Sequence, residues 1–195
     1  MARADRERWD TRHRARREET HDRPHPFLAW VASQPVYAKL FPPSGRALDV
    51  AGGAGRNAVW LARRGLEVTL VDISPVGLER AERAARRAGV AMSLVASDLE
   101  EEPLPAGPWN LVVCTDYLQR SLFPRIAASL APDGLFLFAQ PTRANLARHP
   151  RPGPRFLLEE GELARRVPTE LEILFCEEGW TEEGRHEARL LARRR

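Results

Sequence analysis

RALDVAGGAGRNAVWLARRG, from Arg46 to Gly65, decides how the rest of the chain is read. The apolar run Ala47-Leu48-Asp49-Val50-Ala51 predicts a short buried strand, and Gly52, Gly53 and Gly55 mark a tight turn after it. A helix should follow, because Ala58, Leu61 and Ala62 share one face, Arg63 and Arg64 suit the dipole of a last turn, and Gly65 fits a C-cap. In a strand-turn-helix unit the amides at the helix start face whatever occupies the turn, and Gly53 and Gly55 let it come close. A nucleotide-like cofactor is the natural occupant.

Taken alone, Gly53-Ala54-Gly55-Arg56-Asn57-Ala58 is a G-x-G-x-x-A, which equally suits dinucleotide enzymes or a purely structural turn. Asp49 narrows the choice. An acid at the strand end favours a cationic amine and repels a pyrophosphate. Asp49-x-x-Gly52-Gly53-Ala54-Gly55-Arg56-Asn57, with acids again after the next two strands at Asp72 and Asp98, resembles the class I S-adenosylmethionine (SAM) dependent methyltransferases. That family usually reads acid-x-Gly-x-Gly-x-Gly, and this chain has Ala51 where the first glycine is expected. Alanine there costs little if its φ is negative, and it stands close to the cofactor's methionine end. The resemblance implies SAM as cofactor and an α/β, Rossmann-like three-layer sandwich, its seven-stranded, mostly parallel sheet closed by a C-terminal antiparallel hairpin strand.

The 195 residues, 43% hydrophobic, are enough for one domain with a full core and too few for two, so residues 1–195 are read as a single domain. Nothing approaches the roughly 18 consecutive apolar residues of a membrane span, and the charged first twenty carry no signal-peptide core, so a soluble, cytoplasmic protein is expected. The net charge is +3, but acids and arginines alternate from Arg3 to Glu19 and Lys39 is the sole lysine, which makes a solvated helix face a better reading than a nucleic-acid stripe. Cys114 and Cys176 stand singly in apolar runs and are expected to be buried thiols, and no spacing of cysteine or histidine, including His13, His21 and His25, is that of a metal site.

Residues 1–25 read as a helical arm. Within it Trp9-Asp10-Thr11-Arg12 is similar to a W-D-x-R segment of small-molecule methyltransferases, which implies that Arg12 approaches the cofactor or the substrate mouth. The bland alternative is a tryptophan that docks the arm, with Arg12 in solvent. Short helices are expected around Phe27 to Val31 and after Pro35. Glu67 to Val71 predicts a strand ending at Asp72, where a carboxylate can accept both hydroxyls of an adenosine ribose; the competing reading is an acid serving the next helix, since Ser74-Pro75 is an N-cap and N1 pair. That helix runs to Arg87 with Gly89 as cap, and a third strand, Val90 to Ala96, leads to Asp98. The resemblance gives Asp98 the adenine amino group, with the Leu99 amide on a ring nitrogen and Ile73 over the ring; a turn aspartate is the alternative.

A fourth strand, Leu111 to Cys114, brings Thr115-Asp116-Tyr117 to the pocket, because ligands sit at the carboxyl ends of such strands. Asp49, Ala51, Gly52, Gly53, Gly55, Asn57, Asp72, Ile73, Asp98, Leu99, Cys114 and Arg12 are therefore the candidate cofactor contacts. Leu122, Ile126 and Leu130 predict a helix, Pro132-Asp133-Gly134 a turn, and Leu135 to Ala139 a fifth strand. Residues 140–156, rich in proline and arginine, read as an irregular substrate lid, and Asp116, Tyr117, Arg143 and His149 as acceptor contacts. Leu171 to Cys176 and Glu187 to Ala192, joined without a helix, must pair antiparallel.

The expected reaction is transfer of a methyl group to a small-molecule acceptor, of an anionic, thiol or oxyanion kind, in the branch similar to tellurite-resistance and thiol methyltransferases. Tyr117, His149 and His186 are bases by residue type only, so no catalytic residue is assigned. Two rivals stand: a SAM-binding module without turnover, favoured by Ala51, and a nicotinamide-dependent oxidoreductase, for which no residues remain to build a second domain.

Overall fold

Ser74 and Gly89 show how local chemistry sets element boundaries in the computed structural model, which describes residues 2–15 and 23–195. The Ser74 hydroxyl accepts the Gly77 amide at 3.0 Å, Pro75 occupies N1 and Gly89 closes the helix at φ 68, so α5 spans Pro75–Ala88. The other helices are α1 (Ala2–Ala15), α2 (Pro26–Ser33), α3 (Pro35–Ala38), α4 (Arg56–Ala62), α6 (Leu122–Ser129) and α7 (Glu162–Arg166). The end of the arm, including His21, lies outside the described residues.

Seven strands, β1 (Arg46–Val50), β2 (Glu67–Asp72), β3 (Ser93–Ala96), β4 (Trp109–Thr115), β5 (Leu130–Pro141), β6 (Leu171–Trp180) and β7 (His186–Arg194), form one sheet in the order β3-β2-β1-β4-β5-β7-β6. β1 to β5 are mutually parallel and β7 runs antiparallel to both neighbours. The sheet expected from the sequence is thus the sheet found. β6 and β7 run longer than expected, and their connection shrinks to residues 181–185, because the ladder continues to the Trp180–His186 pair. β5 likewise begins early, at Leu130, through the segment read as a turn.

Alternation along each strand splits the core between the two faces. Leu111 and Val113 of β4 pack with α2, α4 and α5 through Phe27, Leu28, Leu61 and Ala81, whereas Val112 and Cys114 face Phe123 and Ile126 of α6. Strand order reverses at β1, so the carboxyl ends of β1 and β4 diverge into a crevice. Cys176 corrects the expectation of a buried thiol: it is exposed, because β6 is the edge strand and lacks a covering layer over that position. No helix among the described residues is long and apolar enough to cross a membrane.

Candidate active site

At the tip of β1 the chain bends upward through a left-handed residue. Ala51 has φ 52, so the favourable case in which its φ was negative is not the one realised, and the alanine holds a conformation that glycine adopts without strain. Gly53 (φ 55) and Gly55 (φ 84) continue the turn. Gly52 is required for space: a Cβ there would lie 2.5 Å from Asp49 Oδ2 and 2.7 Å from Leu70 Cγ.

The turn's amides do not stay free for a ligand, which corrects the simplest reading of the motif. Gly53 donates to Asp72 Oδ2 at 2.8 Å, Ala58 to Asp49 Oδ2 at 3.1 Å, and Gly55 to the Gly52 carbonyl. Two carboxylates therefore brace the turn from inside. Asp49 lies beneath it, 1% exposed, and its Oδ1 has no hydrogen-bond partner. Burial pushes its pKa up to about 7, although Asn57, the Ala58 amide and the Arg56 charge pull the other way. A buried acid with one unmet oxygen suits a cation and opposes a diphosphate, so the donor set fits the ammonium and sulfonium charges of SAM.

Asp72, at the end of β2, is also raised, mainly by burial, with the Ser74 and Gly53 amides opposing. Its Oδ1 accepts the Ser74 amide at 2.8 Å. Asp72 thus serves the start of α5 locally, and each of its oxygens keeps a second lone pair. Asp98 is buried after β3, where Oδ1 accepts the Glu100 amide at 3.0 Å in a turn, beside buried Leu99, while Ile73 is half-buried at the β2 exit. The structure places Asp49, Ala51, Gly52, Gly53, Gly55, Asp72, Ile73, Asp98 and Leu99 along the carboxyl ends of β1, β2 and β3.

The arm approaches this crevice through Asp10, of the W-D-x-R segment, and through His13, which no motif marked. Asp10 Oδ1 accepts the Ser74 hydroxyl at 2.5 Å, and His13, 7% exposed, packs against Gly53 and Gly77. Arg12 lies on the exposed face of α1 with its guanidinium over the Trp9 ring, 5.0 Å from the centroid. His13, next to it in sequence, is thus the residue of the arm that lies against the glycine turn.

Asn57 joins the crevice to its neighbour. Its Oδ1 accepts the His25 amide at 2.8 Å, and its Nδ2 donates to Thr115 Oγ1 at 3.0 Å. Cys114 is buried with its pKa well above the usual thiol range, through burial and then the charges of Asp49 and Asp116, so it is a neutral packing group. The Tyr117 phenol donates to Gln119 at 2.7 Å, and burial first, then nearby thiol and carboxylate charges, raises its pKa well above the ordinary phenol value. That makes it a poor base.

Asp116 follows β4 with φ 61 and meets Arg56 at 2.8 Å and Arg185. Burial pulls its pKa up, but Arg185 first and then Arg56 outweigh it and the carboxyl is held below its usual range. The expected lid is more ordered than its composition implies. Residues 143–147 and 154–156 form 3-10 turns, and Asn145, 2% exposed, accepts the His186 amide while donating to the Arg151 carbonyl. Its basic side chains have partners: Arg143 pairs with Glu159 at 3.0 Å, Arg148 stacks 3.8 Å over Trp180, Arg155 lies against Phe156 and 3.6 Å from Asp5 of the arm, and His149 meets the Gly184 carbonyl at 2.8 Å. His149 thereby reaches the residue beside Arg185, whereas Arg143 is held by the acid that follows Leu158. His186, shared with Thr142 at 2.7 Å, is likewise part of the lid anchor.

Residues 47–134 match the family described as "Methyltransferase domain". The ribosomal protein L11 methyltransferase of Thermus thermophilus is 34% identical over 123 residues, covering 61% of this chain and 48% of that protein. A ubiquinone biosynthesis O-methyltransferase of Xanthomonas axonopodis pv. citri is 32% identical, over 53% and 45% of the two chains. These matched segments thus span about half the length of the relatives. Among solved structures, magnesium protoporphyrin IX methyltransferase of Synechocystis, with SAH bound, superposes with TM-score 0.73 at 15% identity over 100% and 99% of the two chains. TehB of Haemophilus influenzae superposes with TM-score 0.71 at 20% identity over 88% of this chain and 63% of its own. At such identities the superpositions speak for the fold. Residues 47–134 are thus similar to a methyltransferase domain, and the chain has the fold of the solved methyltransferase on which it superposes along its whole length.

Proposed function

We propose that this chain transfers a methyl group from SAM to a small-molecule acceptor. The observation that carries the reading is the pair Asp49 and Asp72, which occupy the glycine-turn amides that a dinucleotide's pyrophosphate would need. When bound, SAM supplies an electrophilic methyl on a sulfonium. The chain's own part is to hold adenosine between the β2 and β3 tips, present carboxylate charge beneath the amino acid end, and align an acceptor at the tip of β4 while excluding water. An already anionic acceptor needs no base, which agrees with the raised pKa of Tyr117 and the neutrality of Cys114. Among the relatives, one enzyme is named for ubiquinone biosynthesis and others for ribosomal protein L11 and for tRNA, so the choice of a small acceptor rests on the chemistry of the site.

Thermal shift with SAM, S-adenosylhomocysteine and NAD in parallel tests this reading. A ligand at 100 times its Kd adds about 2.7 kcal/mol. The two adenosyl ligands should raise the melt, and a shift with NAD alone refutes the assignment. A SAM-binding module without turnover is the second reading, favoured by the strained Ala51. Methylation of any acceptor excludes it.

A further inference from the structure

Beyond the donor crevice, five charged or titratable side chains converge where the start of α2, the tip of β4 and the start of β7 meet. His25 caps α2 and is 1% exposed; its Nδ1 accepts the Phe27 amide at 3.2 Å. That bond leaves the ring proton of the neutral imidazole on Nε2, which is buried without a hydrogen-bond partner and points toward Glu187 Oε1, 3.7 Å away. Glu187 is itself 3% exposed and takes Arg185 Nε at 3.2 Å. Arg185 also donates to Asp116, whose second oxygen takes Arg56 at 2.8 Å.

The ligand atoms of His25, Asp116 and Glu187 lie within 4.8 Å of one another, a spacing a divalent cation could use. The protonation pattern opposes it. The histidine nitrogen in question carries the hydrogen, and Arg185 already bridges both carboxylates. What remains unmet is a donor. His25 Nε2–H, Arg56 and Arg185 all present N–H groups to one spot, where Asp116, on a left-handed residue at a strand tip, stands as an internal anion.

We propose that His25, Arg56 and Arg185 form the methyl-acceptor subsite and that it receives an anionic oxygen, carboxylate or phenolate, which takes the place of Asp116 between the guanidiniums. This deepens the methyltransferase reading and rests on it. Asn57 ties the two places together, because one amide holds both the His25 backbone and Thr115 beside the donor turn. An oxyanion seated there also satisfies the buried His25 donor.

The test is a titration with sodium benzoate and, separately, with 4-nitrophenolate, of protein with and without S-adenosylhomocysteine. It follows the imidazole Cε1–H resonances at constant pH, with His25→Gln identifying the His25 signal. The His25 resonance should move saturably with at least one anion; benzoate alone marks a carboxylate site and 4-nitrophenolate alone a phenolate site. Arg185→Gln should weaken that binding at least about tenfold, whereas Asp116→Asn, which removes the competing carboxylate, should tighten it several-fold, a gain that structural damage does not produce. No saturable shift with either anion, equal affinity in Arg185→Gln, weaker binding in Asp116→Asn, or a larger effect from zinc chloride than from both anions overturns the proposal. Failure of S-adenosylhomocysteine to bind, with the anion effects intact, counts against the donor assignment alone.

Discussion

Gly53 donates its amide hydrogen to Asp72 Oδ2 at 2.8 Å, so the end of β2 holds the glycine turn of β1, its paired neighbour, in place. The same carboxylate binds the Ser74 amide and thereby the start of α5. Asp72→Ala should lower stability by about 1–3 kcal/mol through the two amides it abandons, and weaken S-adenosylhomocysteine at least tenfold. Chemical denaturation and calorimetry read the two effects separately. Unchanged affinity in a folded variant removes the ribose role and leaves a turn brace.

Ala51 is the clearest site for a gain. At φ 52 its Cβ is strained, and Ala51→Gly should stabilise the fold by about 1 kcal/mol, the strain relief exceeding glycine's extra unfolded-state entropy. Urea midpoints at equal m-value decide it, and a loss of stability contradicts the left-handed assignment.

Asp49 sets a pH dependence. Its folded pKa of about 7 lies above the ordinary 3.8, so the native state holds a proton that the unfolded chain releases. Stability of the free protein should therefore fall as pH rises from about 4 to 7 and level off above. A bound ammonium favours the ionised acid, so affinity for S-adenosylhomocysteine should rise over the upper part of the same window. Asp49→Asn should flatten both curves, and an affinity that does not change between pH 5.5 and 7.5 breaks the link between this carboxyl and the ligand's amine.

Glu162 behaves in the opposite sense. Hydrogen bonds from Arg120 chiefly, against the opposing effect of burial and helped by the Glu159 amide and Arg166, hold its pKa down to about 2. Stability from this acid is present above about pH 4.5 and is lost as pH falls toward 2. Glu162→Gln should remove most of that acid sensitivity and cost about 1–3 kcal/mol at neutral pH, because Arg120 then loses its anchor between the start of α6 and the Leu157 carbonyl. Melts of both proteins at pH 3 and 7 measure the difference.

The parts of the fold that could be read from residues were those with local chemical causes. Ser74, Pro75 and Gly89 bound α5 within one residue of expectation, and the β-branched runs of β2 and β4 marked their strands. The positions of Asp49, Asp72 and Asp98 were legible because each stands at or just after a strand end. What stayed hidden depends on distant partners. His25 carries no motif, and only the fold brings it to Glu187, 162 positions away in sequence. His13 gains its place from the docking of α1, and the lid's order comes from Asn145 reaching the β6–β7 hairpin. Composition alone cannot show that arginines at 143, 148 and 155 have nearby partners.

The reversed direction of β7 has a geometric result of its own. A strand entering the sheet antiparallel brings its first residues, His186 and Glu187, level with the last residues of the parallel strands, where Glu187 stands opposite Pro141. The five-residue bend before it is consequently a growth point: length added between Thr181 and Arg185 raises one wall of the cleft while the ladder below keeps its register. The wall can therefore change height without disturbing the parallel half of the sheet, β3-β2-β1-β4.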